Sequence, residues 1–595
     1  MKSYPTWRYL LKMARYKPWL YLLHAVLWAT FSLTFLLAGQ IARAFFDTLT
    51  GQAHLPPGTT GLIVLLVVLA VSRVVIWLTA GFVEIILRFT MSGLLRRNLL
   101  QHVLKRPGAY ALPYTIGEVI SRFRDDAYQG EDAVDWSDEI TGQGLLAVGA
   151  FLVLLHINVS VTLAAVLPLV IVVAIAQRAS TALNRHRAAS SQATSQVTGA
   201  IGDILAAVQT VQAAGAEERI VARFQRLNEQ RRKAMLADRL VTQVLKAITA
   251  NTVSVGTGLI MLLAGNLLRA GSLTVGDFAL FVSYLGFIAD FTTGLGEFLT
   301  VYRQTGVAFE RMGVLMENAS PAELVTHTPL HLRGPLPSVP PPARSTNNRL
   351  IQVEARGLTY RHPQSGRGIV NVDLRLPRGS LTIVTGRTGS GKTTLLQALL
   401  GLLPREKGEI RWNDDVIDDT ASFFVPPRAA YIAQVPRLFS ETLKQNILLG
   451  LPDDPTALSN AVWGAVLEQD VQRLEAGLET PIGTRGVKLS GGQVQRAATA
   501  RMLVRNAELL VIDDLSSALD VETERVLWER LLANETVTCL AVSHRRAALQ
   551  RADHIIVLKE GHVEAEGALA ELLEDCAEMR TLWLDADDSI THNNA

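Results

Sequence analysis

The chain has 595 residues, too many for one hydrophobic core, so at least two domains are expected. Charged residues are only 19% and the mean hydropathy is +0.23, a combination that points to membrane spans. A formal net charge of +2 gives no footing for a nucleic-acid partner, and two cysteines, Cys539 and Cys576, make neither a disulfide framework nor a metal spacing; both read as reduced cytosolic thiols.

Residues 1–18 set Trp7, Tyr9 and Tyr16 among Lys2, Arg8, Lys12, Arg15 and Lys17, the pattern of an amphipathic helix lying at the inner membrane surface. The apolar run that follows is too long for a cleavable signal peptide. Residues 19–317 are read as a transmembrane domain with six spans, at about Trp19 to Phe46, Gly61 to Leu87, Ile140 to His156, Val161 to Gln177, Ile248 to Leu268 and Phe278 to Phe298. The short connections Gly51 to Thr60 and His156 to Ser160 carry no Lys or Arg. The long ones hold many, including Arg96, Arg97, Arg122, Arg124, Arg223, Arg226, Arg231 and Arg232. By the positive-inside rule the long connections and both termini are cytoplasmic, and the helices are expected to continue beyond the bilayer into the cytosol. The chain is thus expected to be a multi-pass protein of the plasma membrane, a bacterial inner membrane.

Residues 318–349 are proline-rich and read as a semi-rigid linker. A soluble domain is expected over 350–576, and 577–595 reads as a C-terminal tail. Inside the soluble domain the apolar run Leu381-Thr382-Ile383-Val384 leads into Gly386-Arg387-Thr388-Gly389-Ser390-Gly391-Lys392-Thr393-Thr394 and then an apolar helical pattern. This strand, glycine-rich loop and helix fits the phosphate-loop pattern G-x-x-x-x-G-K-[ST]. Its backbone N–H groups and helix N-terminus suit a polyphosphate, Lys392 supplies a point charge and Thr393 a hydroxyl for Mg²⁺. Farther on, Leu509-Leu510-Val511-Ile512 reads as a strand buried on both faces and ends in Asp513-Asp514, where a Mg²⁺-binding carboxylate belongs. Leu489-Ser490-Gly491-Gly492-Gln493 opens a helical pattern whose free N–H groups suit an anion, although an N-cap and tight turn would look the same.

Phosphate loop, strand-end aspartate and LSGGQ in this order, behind six spans, resemble the ATP-binding cassette (ABC) transporters, specifically half-size exporters. The fold class expected is an all-α six-helix transmembrane domain fused to an α/β P-loop NTPase (ABC nucleotide-binding) domain. The resemblance implies ATP and Mg²⁺ as cofactors, Tyr360 as the aromatic that stacks on adenine and Gln434 as the Mg²⁺-sensing glutamine beside Thr393 and Asp513. It also implies Ser517-Ala518-Leu519-Asp520 as the subunit-crossing loop and His544 as the switch histidine. It further implies coupling helices near Pro113-Tyr114-Thr115-Ile116-Gly117 and Gly215-Ala216-Glu217-Glu218, and a dimer in which each ATP lies between one phosphate loop and the other subunit's signature. ATP-driven closure would then switch the membrane helices between inward-facing and outward-facing states.

Two positions depart from the family. Asp514 stands where hydrolytically competent members carry a catalytic glutamate, and Pro481 and Thr484 replace two glutamates common in the coupling segment. The missing methylene at Asp514 withdraws the carboxylate by on the order of 1 Å, a displacement that costs ~100-fold in rate. With an intact signature, this resembles one subunit of a heterodimeric exporter. A homodimer with slow hydrolysis and an ATP-gated or regulatory membrane subunit are the alternatives. Arg73 and Asp290, each near mid-span, read as a salt bridge or a substrate site, and Glu84 with Arg88 as a pair along one helix. The transported substrate, a small molecule, lipid or peptide, is not legible.

Overall fold

The structure is a computed structural model that describes residues 4–52, 58–109, 114, 116–269, 272–316, 319–335, 337, 349–483, 489–515, 519–533 and 537–591. The chain divides into two compact units, Met1–Val103 with Pro113–Gly334, and Leu104–Leu112 with Pro335–Ala595.

The first unit is helical: α1 (Thr6–Tyr16), α2 (Pro18–Leu49), α3 (Gly58–Lys105), α4 (Ile116–Ser121), α5 (Ala127–Ile157), α6 (Val159–Ala206), α7 (Val208–Ala213), α8 (Glu217–Arg269) and α9 (Val275–Leu315), with a π-helical turn at Arg122–Asp126 between α4 and α5. All six apolar stretches fall within α2, α3, α5, α6, α8 and α9, and these helices outrun the ~20 residues that a bilayer needs. Among the described residues, four helical segments are long and apolar enough to cross a membrane, and α6 and α8 carry the shorter apolar pieces Val159–Pro168 and Ser254–Leu263. On α3 the side chains Val67, Val71, Val74, Val75, Leu78 and Phe82 are all exposed, an apolar surface suited to lipid rather than water.

Local chemistry sets the helix ends. Asn158 breaks the α5–α6 run and its Oδ1 accepts from Val161 N–H at 3.1 Å, so one helix ends at Ile157 and the next starts at Val159. A capping box of Thr274 and Asp277 starts α9. Tyr9 of α1 stacks on Phe309 of α9 at 4.4 Å and shares a cluster with Met13, Leu87, Met91, Leu95 and Met312, so one face of the N-terminal amphipathic helix is buried against protein. A second cluster gathers Leu154, Val161, Ile260, Phe281 and Tyr284, and the Tyr284 hydroxyl donates to the Leu36 carbonyl at 2.7 Å.

The expected Arg73–Asp290 bridge does not form. Arg73 lies over the Phe35 ring, 3.6 Å from its centroid, and Asp290 is exposed on α9; among the described residues neither has an ion-pair partner. The aromatic face of α2 offers the guanidinium a nearer, sequence-local stabilisation than a carboxylate on α9. Glu84 and Arg88 do pair, at 3.4 Å.

The second unit holds two sheets. β1 (Gln352–Arg361), β2 (Gly368–Pro377), β4 (Lys407–Trp412) and β5 (Asp415–Val416) form an antiparallel sheet in the order β2-β1-β4-β5. β3 (Leu381–Thr385), β6 (Ala429–Ile432), β7 (Leu509–Asp513), β8 (Thr538–Val542), β9 (His554–Lys559) and β10 (His562–Gly567) form the other, in the order β10-β9-β3-β8-β7-β6, parallel except for β10. β3, β7 and β8 are buried at every position, as their unbroken apolar runs require. One core packs the helix Lys392–Leu399 between the sheets around Trp412, Leu395, Leu399 and Val511. A separate helical cluster holds Ile447, Leu458, Val462, Ala497 and Ala500.

The compact body extends past residue 576. Met579 is fully buried, Leu582 joins the core with Trp528 and Leu527, and Ala577–Thr591 is a helix, so the region expected to be tail begins as part of the domain. The segment Leu104–Leu112 belongs to this unit too, with Ala109 N–H donating to the Leu402 carbonyl at 3.0 Å. Pro113 and Thr115 of the first expected coupling element, most of the linker, Thr484 to Gly486 and Ser517-Ala518 lie outside the described residues. Gly215 and Ala216 lie in the turn between α7 and α8, and Glu217 and Glu218 open α8.

Candidate nucleotide site

β3 ends at the centre of the parallel sheet, and the loop from Gly386 to Gly391 leaves it there. Gly386 has φ +144°, and a Cβ on it would lie 2.2 Å from the Leu558 carbonyl oxygen. Gly391 has φ +105° and N-caps the helix that starts at Lys392. Both positions therefore need glycine, which fixes the tight path of the loop, and within it Ser390 N–H donates to the Arg387 carbonyl at 3.1 Å. Thr388 and Gly389 are exposed at the loop tip, and Thr394 lies in the first helical turn.

The polar groups around this loop converge. Lys392 Nζ donates to the Gly386 and Arg387 carbonyls at 2.7 and 2.9 Å, holding the ammonium across the loop. Burial lowers its pKa, opposed by the charges of Asp514 and Asp513. Ser390 Oγ is buried and, among the described residues, has no hydrogen-bond partner. An orphan hydroxyl inside an N–H-lined loop is a group that a phosphate oxygen would satisfy. Thr393 Oγ1 donates to Asp513 Oδ1 at 3.1 Å and the Tyr431 hydroxyl to Asp513 Oδ2 at 3.4 Å. Burial raises the Asp513 carboxyl pKa most, and Asp514 adds to it. A hydroxyl and a buried carboxylate with excess negative charge are hard oxygen donors of the kind that suit Mg²⁺.

Asp514 follows the strand end, is 8% exposed and has φ +51°, a left-handed conformation that aspartate adopts more readily than most side chains. Gln434, just after β6, donates from Nε2 to Asp514 Oδ2 at 3.2 Å. The structure therefore brings Lys392, Thr393, Asp513, Asp514 and Gln434 to one place. Arg387 points elsewhere, pairing with Glu578 at 2.7 Å.

The adenine position differs from expectation. Tyr360 is 3% exposed and part of the apolar core, so its ring has no free face for a base. It meets His362 edge-on, with centroids 5.0 Å apart, and His362 is half-buried with Nε2 3.4 Å from Thr394 Oγ1. His362, past Arg361 and before Pro363, leaves the core beside the helix that follows the phosphate loop.

The signature lies apart from this group. Ser490 N-caps the helix Gly491–Leu503 in a capping box with Gln493, and Ser490 and Gly491 are exposed. Gln493 and Arg496 both donate to Asp470, at 3.0 and 2.9 Å, and Gly492 is half-buried. This helix packs into the helical cluster, and among the described residues no hydrogen bond or ion pair links Ser490 to Gln493 with the phosphate loop. Asp520 N-caps the helix Val521–Leu532, accepting from Thr523 N–H at 2.9 Å, which is the largest cause of its lowered pKa. His544 is exposed just after β8.

A phosphate loop on a parallel sheet, a separate signature helix and long apolar helices define an ABC transporter, and the chain belongs to that family. Residues 20–290 match the ABC transporter transmembrane region and 369–517 the ABC transporter nucleotide domain, together more than two thirds of the chain. The chain is accordingly a multi-pass membrane protein and an ATP hydrolase coupled to transport. Among curated relatives it is 29% identical over 486 residues to the ATP-dependent lipid A-core flippase of Bordetella pertussis, covering 80% of this chain and 75% of that protein. It is 28% identical over 491 residues to the multidrug resistance-like ATP-binding protein MdlA of Escherichia coli, covering 80% and 78%. A solved bacterial Atm1-family ABC exporter with ATP bound shares the fold, with a TM-score of 0.76 over 96% of this chain and 98% of that one, at 22% identity.

Proposed function

We propose that this chain is one half of an ATP-driven exporter whose own nucleotide site holds MgATP but hydrolyses it slowly, while its signature completes the competent site of a second half-transporter. The observation that carries this reading is Asp514, the strand-end carboxylate beside Gln434 where the family places a glutamate. Withdrawing the carboxylate by on the order of 1 Å from the attacking water costs ~100-fold in rate. The exposed, capped Ser490 and the neighbouring Gly491, Gly492 and Gln493 retain everything needed to face another subunit's ATP.

In this reading Thr393, Asp513 and Gln434 hold Mg²⁺, the loop from Gly386 to Thr394 holds the phosphates, and His544 and Asp520 serve the closed dimer. His362 rather than Tyr360 stacks on adenine. Residues 1–18 lie on the inner membrane surface, 19–317 form the transmembrane domain, 318–349 the linker and 350–576 the nucleotide domain, extended into the helix Ala577–Thr591. Both termini are cytoplasmic, as the Lys/Arg asymmetry of the connections argues. The cargo leaves the cytoplasm by alternating access, and relatives named for lipid A-core flipping and multidrug resistance favour an amphipathic small molecule or lipid.

Reconstitution tests this. Transport into inverted vesicles is expected with a second half-transporter that carries a glutamate after its strand-end aspartate, and not when that glutamate is replaced by glutamine. Brisk ATP turnover by this chain alone, abolished by Asp514→Asn, would favour the homodimer instead.

A further inference from the structure

Near the start of α2, where it meets α3 and α5, a group of acids surrounds a single guanidinium. Arg88 lies 3.4 Å from Glu84 Oε1, 3.8 Å from Glu131 Oε1, 3.2 Å from Asp132 Oδ1 and 3.5 Å from Asp135 Oδ2. A fifth carboxylate, Asp138, contacts His24. His24 is fully buried, and its neighbours decide which ring nitrogen accepts. The indole N–H of Trp28 can only donate, and it lies 2.9 Å from His24 Nε2, so Nε2 carries a lone pair. Nδ1 therefore carries the proton and donates to Asp138 Oδ2 at 2.9 Å.

Carboxyl groups thus crowd this part of the helical bundle, and one of their oxygens is left without a partner. Asp135 Oδ1 lies 3.6 Å from His24 Nε2, is shielded from solvent and has no hydrogen-bond partner; Asp135 as a whole is 7% exposed. Asp135 Oδ1 is thus a buried acceptor without a donor, beside an imidazole nitrogen that the Trp28 N–H occupies, and a cation between the two would satisfy both.

We propose that His24, Glu84 and Asp135 bind a divalent transition-metal ion of the zinc, cobalt or manganese class. One ligand atom from each of the three lies within 4.8 Å of the others. Bonds of about 2.0–2.2 Å at a tetrahedral angle put two donors ~3.3–3.6 Å apart, which matches the separation of Asp135 Oδ1 and His24 Nε2. Asp138 supplies the carboxylate that orients a metal-binding histidine through its other nitrogen. A mixed imidazole and carboxylate set selects these ions over Mg²⁺ or Ca²⁺, which prefer oxygen alone. Trp28 is a placeholder on the lone pair and swings away on binding. The site is independent of the nucleotide reading and uses none of its residues.

The test uses the full chain in lipid nanodiscs, stripped with chelator and titrated with Co²⁺ and then Zn²⁺. One equivalent per chain is expected, with visible Co²⁺ absorption that Zn²⁺ abolishes. His24→Gln and Asp135→Asn remove stoichiometric binding, Asp138→Asn weakens it by about 10–100-fold, and Trp28→Phe retains it. Failure of the wild-type chain to bind one equivalent, as a protonated Asp135 would produce, overturns the proposal. So does stoichiometric binding that His24→Gln and Asp135→Asn leave unchanged. Should either of those variants not fold, the wild-type and Trp28→Phe titrations still decide the question.

Discussion

The phosphate loop and the signature are two poles of one nucleotide machine, built in opposite ways. The phosphate loop is anchored in the core: β3 is wholly buried, the following helix packs between two sheets, Lys392 bonds to the loop, Thr393 to Asp513 and Gln434 to Asp514. The signature sits on the surface with Ser490 and Gly491 exposed, held by its own cap, by Asp470 and by the packing of its helix into the helical cluster. The buried pole carries the altered catalytic position, Asp514, and the exposed pole is intact. In the proposed reading binding and catalysis are separable in this chain: the deeply packed loop holds nucleotide while the carboxylate beside it falls short, and the exposed helix start completes the site of a second half-transporter.

The largest expected effect restores the missing methylene. Asp514→Glu in the purified chain should raise ATP turnover by ~100-fold, measured as phosphate release in lipid. In that background, Gly491→Asp should return turnover to the wild-type level by placing a carboxylate against the facing nucleotide's phosphates. If Gly491→Asp left the gain intact, the signature would have no part in the reaction.

Next comes the adenine contact. His362→Ala should weaken ATP binding by roughly tenfold, in line with the ~1–3 kcal/mol that base stacking contributes. Tyr360→Ala should lower the melting temperature of the nucleotide domain instead, with ATP affinity nearly unchanged in the folded fraction. Binding and melting measured on both variants would show the two effects exchanged if Tyr360 were the stacking residue.

Smaller still is the cap. Ser490→Ala should cost about 0.5–2 kcal/mol of local helix stability through loss of its bond to Gln493 N–H, read by hydrogen exchange at the start of the helix Gly491–Leu503. Smallest is Arg387→Ala. Its pair with Glu578 leaves the guanidinium 65% exposed, so no more than ~1 kcal/mol of stability should be lost and ATP binding should hold.

Much of this was legible in the sequence because it rests on patterns with a local physical cause. Apolar runs of bilayer length fall within six long helices, Asn158 separates two of them, and the glycines of the phosphate loop answer to positive φ angles. What failed depended on packing between distant segments. Tyr360 and His362 are two residues apart and both aromatic; only the depth of β1 in the core separates them. Arg73 and Asp290 are opposite in charge and alike in depth, but depth along a helix does not specify which face a side chain takes, and Arg73 turns to Phe35. Its terminal position made 577–595 read as a tail, whereas Met579 and Leu582 are spaced to reach the core from one helical face. The acids of α5 gave no signal, because their meaning depends on His24 and Glu84 from two other helices.

The central claim is that the site on this chain's own phosphate loop binds without efficient turnover. The most direct measurement compares wild-type and Asp514→Asn chains, purified alone in lipid, for stoichiometric MgATP binding and for phosphate release. Equal binding with turnover that agrees within about twofold is the predicted result, since a carboxylate that does little catalysis is little missed. Turnover that is substantial in the wild type and lost in Asp514→Asn would contradict it.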